Sequence, residues 1–458
     1  MKPTKVITNL FKNYLPSPFT IAVLLTLTTI ILALLFTENT TNKNHVVAIL
    51  LYWEDGIWNN GLLVFGYQMM LVLVLGHVLV LSKPVSQLIL QLVKLVKNTA
   101  NAAALVAVCT MLVAFFNWGL GLIFGALLAR KVGEYAQANN IPLNYPLIGA
   151  SGYLGLMVWH GGISGSAPLK VAEQGHLNTL MQNVKGSEVL TQLPETISSS
   201  LTIFSLSNLL IFSMVLVIIS VVAYFLGKKA KPTPKALKEY RFESDANAKV
   251  NLAEKLDRSR LMAFGFGFLI LAVFSLQYSS ALKSLNITPN MLNFFMLGLA
   301  IVMHGNFHRF LSAVEAAIGD TAGILIQFPL YFGIMGIMGS SGMINGISDF
   351  FVSISTATTM PIYTFFSAGL VNIFVPSGGG QWAVQGPMIL ESAVRLNVPL
   401  HKAVMALAYG DQITNMLQPF WALPLLGITK LKAKEILPYT LIFMLVGSSI
   451  YILGLLLL

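Results

Sequence analysis

Charged residues are scarce in this chain: Asp, Glu, Lys and Arg make up 10% of its 458 residues, against about 25% in soluble domains. With 55% hydrophobic residues and a mean hydropathy of +0.74, that shortage excludes an ordinary soluble globule and implies an integral membrane protein. Cysteine is nearly absent as well. Cys109 stands alone, which excludes an intrachain disulfide. The chain has no HExxH, no GxSxG and no paired-carboxylate motif, so an intramembrane hydrolase built on His160 and Asp411 would lack its usual partners. No cofactor is expected.

The charge that is present has the wrong pattern for a nucleic-acid site. The net charge is +10, but the densest block is "GKKAKPTPKALKEYRFESDANAKVNLAEKLDRSR" at 227–260, with ten Lys/Arg and five Asp/Glu. Its prolines and polarity mark a cytoplasmic linker between two membrane halves, 1–226 and 261–458, and lysines and arginines collect on the cytoplasmic side of membrane proteins. Lipid, not nucleic acid, is the expected neighbour.

Long uncharged runs supply the spans. Residues 19–36, 201–226, 261–282 and 436–458 each reach or approach the roughly 20 residues that a helix needs to cross a bilayer. The first run follows Lys2, Lys5 and Lys12, but "LALLFTENT" offers no small-residue cleavage site, so it reads as a retained span. Crossings are expected at 19–37, 61–82, 146–169, 199–226, 260–282, 290–304, 320–343, 400–425 and 436–458. Residues 98–138 and 361–396 are expected to be hairpins that enter and leave on one side. With a cytoplasmic N-terminus and an outside C-terminus, 22 Lys/Arg fall on the cytoplasmic side and 6 outside, or 12 against 6 without the linker.

Two windows, 82–121 and 341–380, share a plan: a part-polar stretch, an apolar arm, then Gly-rich backbone. The landmarks "NIPL" (140–143) and "NVPL" (397–400), then "SAPL" (166–169) and "ALPL" (422–425), keep an offset of 256–257 residues. Paired landmarks at a constant offset indicate an internal repeat, and the charge assignment opens the two hairpins to opposite sides. The expected fold is therefore an all-α polytopic membrane protein of two inverted repeats. Each repeat has a re-entrant helical hairpin (98–138 and 361–396) and a broken transmembrane helix (146–169 and 400–425). The amphipathic stretch 84–97 suits a helix lying in the interface.

Irregular backbone inside a membrane is tolerated only where it is buried in protein or lines a polar cavity. "FFNWGLG" (115–121) and "VPSGGGQ" (375–381) are such places, as hairpin tips. So are "HGGISGSAPL" (160–169) and "GDQITNMLQPFWALP" (410–424), the loosened parts of two spans. Matching interrupted spans are the strongest sequence pointer to a transporter's midplane site. The residues expected to face a substrate are Asn117, Trp118 and Gly119 at the first tip, then His160, Gly161, Ser164 and Ser166. Ser377, Gly378, Gly379, Gly380 and Gln381 complete the set at the second tip. Ser377 is placed to cap a helix whose exposed N–H groups favour an anion. No arginine lies in either tip or either loosened segment, which favours a ligand with one carboxylate. Asp411, with Thr414, Asn415 and Gln418, is the expected site of a coupling cation: Na⁺ at Asp411, Thr414 and Asn415, or a proton on the carboxyl group. A passive channel would need polarity along a whole pore, and here it is concentrated at one level.

The segments "VPSGGGQWAVQGPMILESA", "GDQITNMLQPFWALPLLGI" and "HGGISGSAPL" resemble the bacterial short-chain fatty acid transporter family, the acetoacetate/butyrate permeases. The resemblance covers nearly the whole chain. It implies membership of the ion-transporter superfamily, with opposed hairpins, a scaffold that dimerises, and an elevator motion. It also implies location in the bacterial inner membrane and secondary transport of butyrate- or acetoacetate-like monocarboxylates driven by Na⁺ or H⁺. The dicarboxylate branch of that superfamily carries Ser-Asn-Thr tips where this chain has "NWG" and "PSGGG". A Na⁺-coupled carrier of a dicarboxylate is the alternative.

Overall fold

The computed structural model describes residues 16–39, 42–181, 192–237, 252–283 and 289–458. It is helical, and among the described residues the one strand-like feature is an isolated bridge between Asn144 and Thr233. The first half holds α1 (Pro18–Phe36), α2 (His45–Ile57), α3 (Asn60–Leu81), α4 (Lys83–Val93), α5 (Thr99–Phe116) and α6 (Trp118–Ala138). These lead to α7 (Tyr145–Gly152), α8 (Ser166–Lys170), α9 (His176–Met181) and α10 (Leu206–Lys229). The second half follows α11 (Leu252–Asp257) with α12 (Arg260–Lys283), α13 (Pro289–His304), α14 (Phe307–Ile318), α15 (Ala322–Ser340) and α16 (Met343–Ser353). Its last helices are α17 (Met360–Phe374), α18 (Gly378–Arg395), α19 (Leu400–Thr414), α20 (Pro419–Thr429) and α21 (Ala433–Leu457).

Caps written into the sequence start many of these helices. Asn98, Asn117 and Asn144 each accept the backbone N–H three residues on, at 3.0, 2.9 and 3.0 Å, and so satisfy donors that a helix start leaves unpaired. Proline follows the cap at Pro146 and Pro419, where its missing N–H costs nothing. Between caps, apolar side chains cover whole helices. Leu261 and Leu276 on α12 are 84% and 82% exposed, a surface made for lipid.

Six described helices are long and apolar enough to cross a membrane: α1, α5, α10, α12, α15 and α21. A bent pair running through α2 and α3 would make a seventh. The first arm of the 98–138 pair is thus of near-spanning length by itself, at 18 residues and about 27 Å. The sequence-based list of crossings contained no counterpart of α2. Glu54 and Asp55 interrupt its apolar pattern, but it packs along α15 through glycines. A Cβ on Gly56 would fall on the Phe332 carbonyl oxygen, and one on Gly336 on that of Tyr52, the small-residue contact that lets membrane helices approach closely.

The helices gather in two groups. In one, α2 packs with α15, α3 with α13, and α12 with α13. In the other, α5 packs with α6, α7 and α10, α17 with α19, and α21 with α10 and α7. They meet along α3–α6 and α15–α20. The expected linker starts as extended chain lying on α6 and the loop after it: Asn144 Nδ2 donates to the Lys231 carbonyl (2.8 Å), and Leu237 N donates to Gln137 Oε1 (2.8 Å). Residues 238–251 of the linker and the three N-terminal lysines lie outside the described residues.

Candidate functional site

Both interrupted spans are interrupted in the structure. After α7 the chain makes a 3-10 turn at Leu154–Met157, then runs without helix through 158–165 until α8 begins at Ser166. After α19 it makes a 3-10 turn at Asn415–Leu417 before α20 starts at Pro419. Such breaks free backbone groups that lipid cannot satisfy. Here neighbouring segments take them up. Ile163 N donates to the Phe115 carbonyl at 2.7 Å, and Asn208 Nδ2 to the Gly161 carbonyl at 2.8 Å. Tyr153, from the first break, donates its hydroxyl to the carbonyls of Asn415 (2.9 Å) and Gln418 (3.1 Å) in the second.

The two breaks touch at a buried pair. Gln412 Oε1 accepts both His160 N (2.8 Å) and Gly161 N (3.0 Å). His160 Nδ1 lies 2.5 Å from Asp411 Oδ2, with both side chains at 1% exposure or less. The backbone N–H of Ala167 points at His160 Nε2, 3.0 Å away. An amide N–H can only donate, so Nε2 is an acceptor and the ring proton sits on Nδ1, where it is donated to Asp411. The other carboxylate oxygen, Asp411 Oδ1, is buried without a partner among the described residues. A buried acceptor is costly to leave empty.

The remaining candidates separate into two groups. Thr414 and Asn415 make no hydrogen bond to the Asp411 carboxylate among the described residues. The Thr414 hydroxyl (2.9 Å), the Asn415 side-chain carbonyl (2.8 Å) and the Asp411 backbone carbonyl (2.8 Å) all face the amide nitrogen of Asn372 on α17. Gln418 Nε2 is spent on the carbonyls of Asn372 and Ile373 at 2.8 and 2.9 Å. Gln381 is fully buried and turned into its own hairpin, donating to the Ala368 carbonyl (2.9 Å) and Gln385 Oε1 (2.8 Å). These residues hold the breaks and the hairpin in shape. Among the described residues no three His, Cys, Asp or Glu side chains form a metal cluster.

Both tips reach the first break. At the first, Trp118 N donates to Ser164 Oγ (2.9 Å), and the Trp118 ring packs on Trp159 and Trp421 with centroids 5.9 and 5.1 Å apart. At the second, Ser377 Oγ accepts Gly380 N at 3.2 Å, so it does cap α18. Gly378 lies against His160 itself. A Cβ there would come within 2.8 Å of His160 Cε1 and 2.7 Å of Trp159 Cη2. Gly379 is exposed beside Ser166, and no described group accepts the N–H of Gly378 or Gly379. No local sequence pattern singles out Asn372, Gln412, Tyr153 or Asn208. Gln412 and Asn372 stand inside or next to the quoted motifs, and their roles depend on which break each one faces.

Comparison with known proteins finds relatives at the level of sequence. The family model described as "Short chain fatty acid transporter" matches residues 2–458. A protein of Escherichia coli (strain K12) named for short-chain fatty acid transport is 35% identical, over 99% of this chain and 98% of its own. One of Haemophilus influenzae (strain Rd) with the same name is 34% identical over the same shares. Among solved structures, the YdaH transporter of Alcanivorax borkumensis aligns with 96% of this chain and 98% of its own at 14% identity and a TM-score of 0.44. MtrF of Neisseria gonorrhoeae aligns with 98% of this chain and 96% of its own at 12% identity and a TM-score of 0.40. Both scores are below one half, so the assignment rests on the sequence relatives.

Proposed function

Since the chain belongs to the short-chain fatty acid transporter family, we propose that it moves a butyrate- or acetoacetate-like monocarboxylate across the bacterial cytoplasmic membrane by secondary active transport. The observation that carries this reading is the buried contact between His160 and Asp411, made by two interrupted spans, with one carboxylate oxygen unpartnered. An unneutralised charge at that depth costs at least about 2.5–3.5 kcal/mol. Loading Asp411 Oδ1 with a cation removes that cost, so cation binding and the stability of the site are linked. His160 is the positioning residue. Its Nε2 accepts from Ala167 N and its Nδ1 donates to Asp411 Oδ2, which leaves Asp411 Oδ1 as the unpartnered oxygen of the pair.

The substrate carboxylate is assigned to the second tip. The free N–H groups of Gly378 and Gly379 open α18, whose positive end favours an anion by roughly 0.3–1 kcal/mol, and Ser166 lies beside them. The wall near the first tip is apolar, formed by Trp118, Trp159 and Trp421, and offers no second cation for a second carboxylate. The coupling cation in this proposal is the proton, because Thr414 and Asn415, the other oxygen donors expected for Na⁺, accept from Asn372. Inverted repeats, opposed hairpins, a homodimeric scaffold and elevator exchange complete the proposal, with the N-terminus cytoplasmic and the C-terminus outside.

Proteoliposomes given labelled butyrate or acetoacetate, with proton and Na⁺ gradients imposed separately, test it. Accumulation driven by an inward proton gradient without Na⁺ is expected. Dependence on Na⁺ at fixed pH would transfer the coupling to Na⁺. Uptake of a dicarboxylate in place of both acids would replace the substrate class.

A further inference from the structure

The second interrupted span has a cavity at its outer end that the tips do not use. It measures about 310 Å³ and lies between the start of α10, the start of α19 and the end of α21. Met405, Ile211, Gly454 and Leu455 form its apolar side, while Ser205, Ser207, His401 and Lys402 form its polar side. Its floor is Asn208 and Tyr409. The charge assignment above puts Lys402 outside.

We propose that this cavity is a second monocarboxylate-binding site, an outer vestibule in which Lys402 holds the carboxylate and the apolar side holds a short alkyl tail. The inference rests on the substrate class proposed above. Lys402 is the fixed cation in the lining, and its ammonium has no ion-pair or hydrogen-bond partner among the described residues. The lining contains no Asp or Glu side chain. An open apolar space with one unpaired cation at its edge matches an amphiphile carrying a single negative charge. The first turn of α10 borders the same space and adds the positive end of a 24-residue helix.

The floor connects this vestibule to the buried pair. Tyr409 donates its hydroxyl to Asn208 Oδ1 at 2.8 Å, Asn208 Nδ2 donates to the Gly161 carbonyl at 2.8 Å, and Gly161 N donates to Gln412 Oε1 at 3.0 Å. His160 N shares that same acceptor at 2.8 Å. A carboxylate in the vestibule is therefore one hydrogen-bonded layer from the backbone that positions His160. It raises the local substrate concentration on the side from which the acid enters.

Equilibrium binding of labelled butyrate to the purified full-length protein, paired with initial-rate uptake in proteoliposomes, tests this. Wild type should bind two butyrates per chain, and Lys402→Gln one. In uptake, Lys402→Gln should raise KM about tenfold, the scale of one charge-assisted hydrogen bond, and leave kcat unchanged. Lys402→Arg should restore both. One site in wild type, or two in Lys402→Gln, would overturn the vestibule while leaving butyrate transport standing. Wild type that neither binds nor transports butyrate would remove the substrate reading and the vestibule together. If added phosphatidylglycerol displaces the Lys402-dependent butyrate, the space belongs to lipid and the proposal is wrong.

Discussion

The turn between α5 and α6 is a single residue, Asn117, and the turn between α17 and α18 is Val375–Ser377. The first tip puts a tryptophan at the start of its second arm. That ring is wedged between Trp159 and Trp421, and its backbone N–H is bound to Ser164. The second tip puts three glycines there. Gly378 fits under His160 because it has no Cβ, and Gly379 is open to solvent. One tip is fastened by side chains, while the other offers backbone. The contrast fits the division of work proposed above, in which the first tip holds the interrupted span in place and the second takes the substrate anion.

The largest expected effect breaks the second tip at its tightest point. Gly378→Val places carbon where Trp159 and His160 already stand, 2.7 and 2.8 Å from a built Cβ. Overpacking of this kind costs typically about 1–3 kcal/mol, and here it also displaces the positioning histidine. Uptake should fall by roughly 5- to 150-fold, with a lowered Tm in detergent. Gly379→Val adds a Cβ only 3.8 Å from Ser166 Oγ, an ordinary contact. It should keep wild-type Tm and lose substrate affinity instead. Equal damage to Tm from both variants would erase the distinction between the two glycines.

A smaller effect separates the two serines. Ser377→Ala removes the cap on Gly380 N, worth about 0.5–2 kcal/mol. KM should rise by roughly 2- to 30-fold. Ser164→Ala leaves Trp118 N without its acceptor, so the loss should appear in Tm and kcat with KM little changed. Steady-state uptake by the two variants, compared in one lipid, decides whether the tips divide the work in this way.

Much of this site was legible in the sequence because membranes punish loose backbone. Gly and Pro at 161–168 and at 410–424 read as buried breaks, and Asp411 inside one of them reads as the site of a cation or a proton. That its partner is His160 was not legible. The two residues are 251 apart, and no local pattern says which breaks will touch. Thr414 and Asn415 share a helical face with Asp411, which suggested one oxygen cage. The structure turns the carboxylate toward His160 and the other oxygens toward Asn372. Asn372 sits in "LVNIF", where its neighbours are apolar and its target is supplied by another helix. Helix α2 is hidden in the sequence for a similar reason. Its burial depends on Gly56 meeting Gly336, a contact between segments 280 residues apart in the chain.

Asp411→Asn separates a buried pair that carries the coupling cation, as proposed, from one that is structural. The amide keeps the shape of the carboxyl group and can still accept from His160, but it cannot take a proton or neutralise a cation. In proteoliposomes with an inward proton gradient, wild type should accumulate labelled butyrate above the outside concentration. Asp411→Asn should show counterflow exchange of butyrate and no accumulation. If Asp411→Asn concentrates butyrate to the wild-type level under the same gradient, the pair is structural and the coupling site lies elsewhere.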